Sequence, residues 1–152
     1  MKKVITASNY EVIPLNLRTN VRFYTSVDFG SYVPPHWHDA IEILYLQEGE
    51  LKVNTESTSR NLHSGQCTLI QPNKVHSTLC TRPNKAIVFQ IPLLFLEKFV
   101  SDASRLTFQL EGTPRQASQP EWDRQKTQIN QFKEKLTQMQ LILDTNPDGA
   151  PL

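Results

Sequence analysis

Between Val21 and Ile91, short runs of β-branched and aromatic residues alternate with Gly, Pro and Asn about every eight to twelve residues. A chain punctuated that often cannot form long helices, so the pattern predicts an all-β sandwich or barrel. The runs are Val21–Asp28, Tyr32–His38, Glu42–Gln47, Glu50–Thr55, Cys67–Gln71, Val75–Thr81 and Ala86–Ile91. Glu48-Gly49 falls between two of them and reads as a hairpin turn. Ser64-Gly65, Pro72-Asn73 and Pro83-Asn84 are further turn signals.

Outside this region the pattern changes. Residues 1–20 are weakly patterned and read as an N-terminal arm with at most one short strand. Pro92 followed by Leu93 to Val100 suits a short helix with proline in its first turn. Leu106–Leu110 alternates and is expected to add a strand. The polar stretch that follows, with two prolines and a glycine, reads as a linker over residues 112–120. The expected organisation is an arm (1–20), a barrel (21–111), the linker and a helix (121–145).

That helix opens with Pro120 and Glu121 and carries Trp122, Ile129, Phe132, Leu136, Met139 and Leu143 on one face. The last five are spaced by alternating threes and fours, as in a heptad seam, with a polar interruption at Gln125 or Lys126. Ile129, Phe132, Leu136, Met139 and Leu143 are therefore expected to form a dimer interface, docking on the chain's own barrel being the alternative. Asn146-Pro147-Asp148-Gly149 is expected to stop the helix.

The net charge is +1, without the basic excess by which a domain grips phosphates, so direct nucleic-acid binding is not expected. No apolar run reaches the roughly 20 residues that span a bilayer, and Met1-Lys2-Lys3 precedes no signal-peptide core. Two cysteines without CxxC spacing fit a reducing cytoplasm. Cys80 shares its strand face with His76 and is expected to be a small buried residue, and His63 an exposed turn residue. Nucleophile elbows, P-loops and dinucleotide-binding glycine motifs are absent from the sequence.

The chemistry concentrates in the histidines. Alternation puts His36 and His38 on one face of a strand, so two imidazoles can converge on one ion. On a flat strand Glu42 would lie about 13 Å from His38. It joins the pair only if the chain bends at Asp39-Ala40, and Asp suits a bend. His76, after the Pro72-Asn73 turn, would complete a set of three histidines and a carboxylate. Such a set suits zinc, nickel, iron or manganese. The alternative is a polar pocket that hydrogen-bonds a small molecule or water with no cofactor required. Arg22 and Tyr24 share a strand face and are further candidate ligand-binding residues, with a solvated or structural role as their alternative. Trp37 points the other way and is expected to pack between barrel and helix.

Gly30, then His36-x-His38, Glu42 and Gly49 resemble the first signature of the cupin β-barrels, at every defining position. Gly65, Pro72 and His76 resemble a shortened second signature that lacks the glycine after the proline and has Cys80 in place of an asparagine. The longer pattern from His36 to Tyr45, then Glu48-Gly49 and Leu69 to Ser77, is similar to the N-terminal sensor domain of the arabinose-operon regulator (AraC) family of bacteria. Phe89-Gln90-Ile91-Pro92 and Phe95-Leu96 extend the similarity over about residues 20–143. It implies a jelly-roll barrel that binds a small-molecule effector, a sugar or related metabolite, and helices that dimerise. It also implies that DNA is contacted only through a separate C-terminal domain, which these residues do not contain. The resulting expectation is a sensing and dimerisation domain without enzymatic activity of its own. A small metal-dependent dioxygenase or isomerase, and a pure dimerisation module with an empty barrel, are the alternatives.

Overall fold

The computed structural model describes residues 4–5, 9–16, 18–110 and 118–145. Met1-Lys2-Lys3, residues 112–117 of the expected linker and the Asn146-Pro147-Asp148-Gly149 stop lie outside them. The chain divides into two units, Met1–Phe108 and Gln109–Leu152.

The first unit is a curled antiparallel sheet. Its strands are β1 (Val4–Ile5), β2 (Glu11–Val12), β3 (Arg22–Asp28), β4 (Tyr32–His36), β5 (Ala40–Thr55), β6 (Ser59–His63), β7 (Cys67–Ile70) and β8 (His76–Pro92). β1 and β2 form a small ribbon, while the main sheet runs β3-β8-β5-β6, with β4 also on β8 and β7 also on β5. β5 and β8 are the frame. The first half of β5 pairs with the second half of β8, from Glu42↔Gln90 to Leu46↔Ala86, and their other halves pair from Lys52↔Leu79 to Thr55↔His76.

One expected hairpin and one expected turn are corrected by this framework. Glu48-Gly49 does not separate two strands but lies inside β5, and Pro83-Asn84 lies inside β8. The register between β5 and β8 slips three times between Leu46 and Lys52. Such bulges bend a strand without ending it. Gly49 sits at the bend with φ +82°, and a Cβ there would stand 2.0 Å from the Pro83 carbonyl oxygen. The bend also reverses parity. Leu44 and Leu46 face the interior at even positions, whereas Leu51 and Val53 join the same core at odd ones.

That core, completed by Leu62, Ile70, Ala86 and Val88, fills one end of the interior. Alternation along β5 and β8 then places Glu42 and Gln90 two residues beyond Leu44 and Val88, on the same inward face. The fold thus ends its apolar core at a polar floor.

Other expectations change as well. The arm holds two short strands rather than at most one, because it finds partners the sequence does not reveal: β1, and the backbone of Trp37. Leu106–Leu110 forms no strand; a 3-10 turn at Ala103–Arg105 precedes it. The Gln71 side-chain amide hydrogen-bonds both the N–H and the carbonyl of Phe108, taking the place a neighbouring strand would fill. The short helix after Pro92 is α1 (Leu93–Leu96). Ser59–His63 is a strand that sequence patterning missed, its burial resting on Leu62 alone.

The second unit contains α2 (Gln119–Thr145), which starts two residues before the expected boundary. Ser118 and Glu121 form a capping box. Ser118 N donates to Glu121 Oε2 (2.8 Å) and Glu121 N donates to Ser118 Oγ (3.4 Å), which satisfies two backbone donors at the helix start. No helix among the described residues is long and apolar enough to cross a membrane.

Candidate metal centre and adjoining pocket

Four side chains from three segments meet at the polar floor: His36, His38, Glu42 and His76. Each offers one ligand atom, and these atoms lie within 4.8 Å of one another. All four are at most 3% exposed. β4 and β8 place His36 directly opposite His76. The chain bends at Asp39, and Asp39 O accepts from Leu93 N (2.9 Å), tying the bend to the start of α1. Glu42 thereby enters the interior beside His38, as the bend expected at Asp39-Ala40 requires.

The hydrogen bonds fix how each ring faces. The Nδ1 of His36, His38 and His76 donate to the carbonyl oxygens of Pro34 (2.8 Å), Ala40 (3.2 Å) and Lys74 (2.8 Å). A carbonyl can only accept, so each Nδ1 carries the proton and each Nε2 of a neutral ring presents a lone pair. All three Nε2 atoms turn toward carboxylates. His38 Nε2 is 2.7 Å and His76 Nε2 3.3 Å from Glu42 Oε2. The Nε2 atoms of His36 and His76 are buried and make no hydrogen bond.

Lone pairs aimed at a carboxylate across about 3 Å repel unless a proton or a metal cation lies between them. Ligand atoms about 2.1 Å from a common ion stand about 3 Å apart when the angle between them is near 90°. Backbone-anchored Nδ1 atoms are also the usual outer support of metal-bound histidines. The donor set therefore fits a divalent transition metal held by His36, His38, Glu42 and His76. Behind it, Gln90 Nε2 donates to Glu42 Oε2 (3.2 Å) and Arg22 donates to Gln90 Oε1 (3.4 Å).

A cavity of about 210 Å³ opens beside the cluster, lined by His36, Glu42 and His76 and by polar residues such as Ser26, Thr78 and Asn84. It shares Tyr24, Ser26, Val27 and Val33 with a more open cavity of about 740 Å³. Tyr24 lines both. Arg22 lines only the outer one, and its guanidinium sits 4.1 Å from the Tyr24 ring centroid, a cation–π contact. Arg22 is buried rather than solvated.

The remaining predicted residues are not part of this cluster. Cys80 is buried, and burial and the nearby charge of Asp28 push its thiol pKa up. Trp37 packs on Tyr10, ring centroids 4.7 Å apart. His63 is exposed at the end of β6, its Nδ1 3.5 Å from Glu50. Ile129, Phe132, Leu136, Met139 and Leu143 all lie on α2, in the other unit.

Two buried residues of the site escaped sequence reasoning. Gln90 had no signal beyond its inward parity. Glu11 did have one: it is the only acidic residue before Asp28, set among Tyr10, Val12 and Ile13. It is fully buried, with Oε2 3.0 Å from His36 Nε2 and Oε1 3.8 Å from Arg22.

Residues 23–92 match the cupin domain family. No curated protein matches the chain. Solved structures similar to it include KdgF from a Halomonas species, at 23% identity over 47% of this chain and 69% of that one, with a TM-score of 0.44. An RmlC-like cupin from Shewanella frigidimarina follows at 25% identity, over 53% and 71%, with a TM-score of 0.45. The DMSP lyase DddQ from Ruegeria pomeroyi is 28% identical over 47% of this chain and 38% of that one, with a TM-score of 0.43. The mostly β, antiparallel cupin fold expected from the sequence is the fold observed. The expectation that the chain is not an enzyme is corrected. The four candidate ligands assemble into one buried cluster beside a cavity, an arrangement that can hold a metal ion next to a bound molecule.

Proposed function

We propose that the cupin domain at residues 23–92 binds a divalent transition metal through His36, His38, Glu42 and His76 and uses it to hold a small polar molecule. The observation that carries this reading is the convergence of three Nε2 lone pairs and one carboxylate beside a cavity. A metal bound there supplies Lewis acidity toward an oxygen of the bound molecule. The chain's own residues do the rest. The Nδ1–carbonyl bonds orient the rings, Gln90 orients Glu42, and the apolar core keeps water from the cluster's inner side. Hydroxyl and amide groups of Ser26, Ser31, Thr78 and Asn84 offer partners to a hydroxyl-rich ligand such as a sugar or related metabolite.

On this reading the chain is the effector-binding module of an AraC-type transcription regulator, dimerising through Ile129, Phe132, Leu136, Met139 and Leu143. DNA would be reached through another domain. The signature spacing from His36 to His76 and the seam on α2 support it. Cavity access to the cluster favours a second reading, a metal-dependent dioxygenase or isomerase, which shares the metal and differs only in turnover.

Metal analysis of purified wild-type protein and His38→Ala tests the shared part. One zinc, nickel, iron or manganese per wild-type chain and none in the variant is expected. Thermal shifts with a panel of sugars and sugar acids should then appear only in metal-loaded protein. A wild type that takes up none of these metals, or a shift equal in His38→Ala, would sink the reading. Following the bound molecule by NMR separates the two uses: an unchanged molecule supports sensing, and its conversion supports catalysis.

A further inference from the structure

The N-terminal segment is stitched to the strand that carries the histidines. Glu11 N donates to Trp37 O (2.9 Å), Trp37 N donates to Asn9 O (2.9 Å), and Tyr10 hydroxyl donates to Asp39 Oδ1 (3.3 Å). Tyr10 and Trp37 stack between these bonds. Trp37 and Asp39 flank His38 in the sequence, so the segment is pinned at the metal-binding stretch itself. What it delivers there is a carboxylate with no exposure to solvent. Burying a carboxylate is costly unless it meets a cation.

The relation of Glu11 to His36 repeats that of Glu42 to His38. In both pairs the ring's Nδ1 donates to a backbone carbonyl, and Nε2 faces a carboxylate oxygen, at 3.0 Å for His36–Glu11 and 2.7 Å for His38–Glu42. The lone-pair conflict that a metal resolves for Glu42 is present again at Glu11. We infer that Glu11 is a further protein ligand of the metal, brought by the N-terminal segment and occupying a coordination position beside His36. Arg22, 3.8 Å from the other carboxylate oxygen, holds the group in place. The inference rests on the metal reading above and adds a consequence: a small anion reaches that position only when Glu11 vacates it.

The test is a titration of Co²⁺ into metal-free wild type, Glu11→Gln, Glu11→Asp and His38→Ala, read by visible absorption. Circular dichroism melts establish that each variant is folded. Glu11→Gln should bind Co²⁺ about tenfold or more weakly, with a changed absorption spectrum. Glu11→Asp, which keeps the charge beside Arg22, should recover part of that affinity. Azide should perturb the spectrum of Co²⁺-loaded Glu11→Gln and leave that of the wild type unchanged. Unchanged affinity and spectrum in Glu11→Gln, or an Asp variant no better than Gln, would overturn the role of Glu11 while leaving the metal site standing. A wild type that binds no Co²⁺, or a His38→Ala variant that binds it equally well, would overturn both.

Discussion

Glu42 Oε2 lies 2.7 Å from His38 Nε2, although an unbent strand would hold the two residues about 13 Å apart. The bend at Asp39 closes that gap, and the pair is the tightest contact in the cluster. Loss of an outer support of a metal ligand typically costs 10–100-fold in affinity, so loss of a direct ligand should cost at least about a hundredfold. Glu42→Gln and His38→Ala should both show this in competition titrations against a metal chelator. Gln90→Leu, which removes only the amide bonded to Glu42, should fall in the 10–100-fold range.

Gly49 is irreplaceable on backbone grounds. A side chain there meets both the left-handed φ of +82° and the Pro83 carbonyl 2.0 Å from its Cβ. Strain of this kind and overpacking each cost on the order of 1–3 kcal/mol. Gly49→Ala should therefore lose roughly 2–6 kcal/mol in urea unfolding. Gly65→Ala shares the positive φ but has open space around it, and should lose less.

Asp28 links the barrel's stability to pH. Burial pushes its carboxyl pKa up, but hydrogen bonds from the Ser31 hydroxyl and from the Ser31 and Gly30 backbone N–H groups outweigh it, and the net shift is downward. A pKa lower in the folded state means that folding favours the ionised form. The contribution is complete above the ordinary carboxylate range and is lost as pH falls through the lowered folded value. Asp28→Asn should flatten this part of the stability profile, measured as urea midpoints from pH 7 to pH 2.

Cys80 should resist alkylation. Its thiol is buried and its pKa raised, so little thiolate forms near neutral pH and reagent has poor access. With iodoacetamide at pH 7.5 the native protein should react far more slowly than urea-unfolded protein. Equal rates would contradict the burial.

The seam on α2 is tested by Phe132→Asp with Leu136→Asp. If the helix dimerises the chain, the double variant should sediment as a monomer in analytical ultracentrifugation at concentrations where the wild type is a dimer. A monomeric wild type would remove dimerisation from the proposal.

Much was legible in the sequence because it is periodic or local. Strand alternation put His36 and His38 on one face, and the turn before His76 suggested a fourth partner. Pro120, Glu121 and the heptad spacing of α2 announced a helix within two residues of its true start. Gly49 and Pro83 misled, because a positive φ or a proline marks a bend as readily as a strand end. Only pairing with a neighbour distinguishes the two.

By itself, the sequence determined the β character, the shared strand face of His36 and His38 and the kind of chemistry they offer, since each follows from residue type and spacing of two to four positions. Tertiary structure decided that β5 and β8 run unbroken through their bends. It also decided that Gln71 ends the barrel unit without another strand and that Gln90 and Glu11 stand beside the candidate metal site. Glu11 lies 25 positions before His36 in the sequence, and no local period connects them. Their meeting depends on backbone bonds between Glu11, Asn9 and Trp37, which exist only once the sheet has curled.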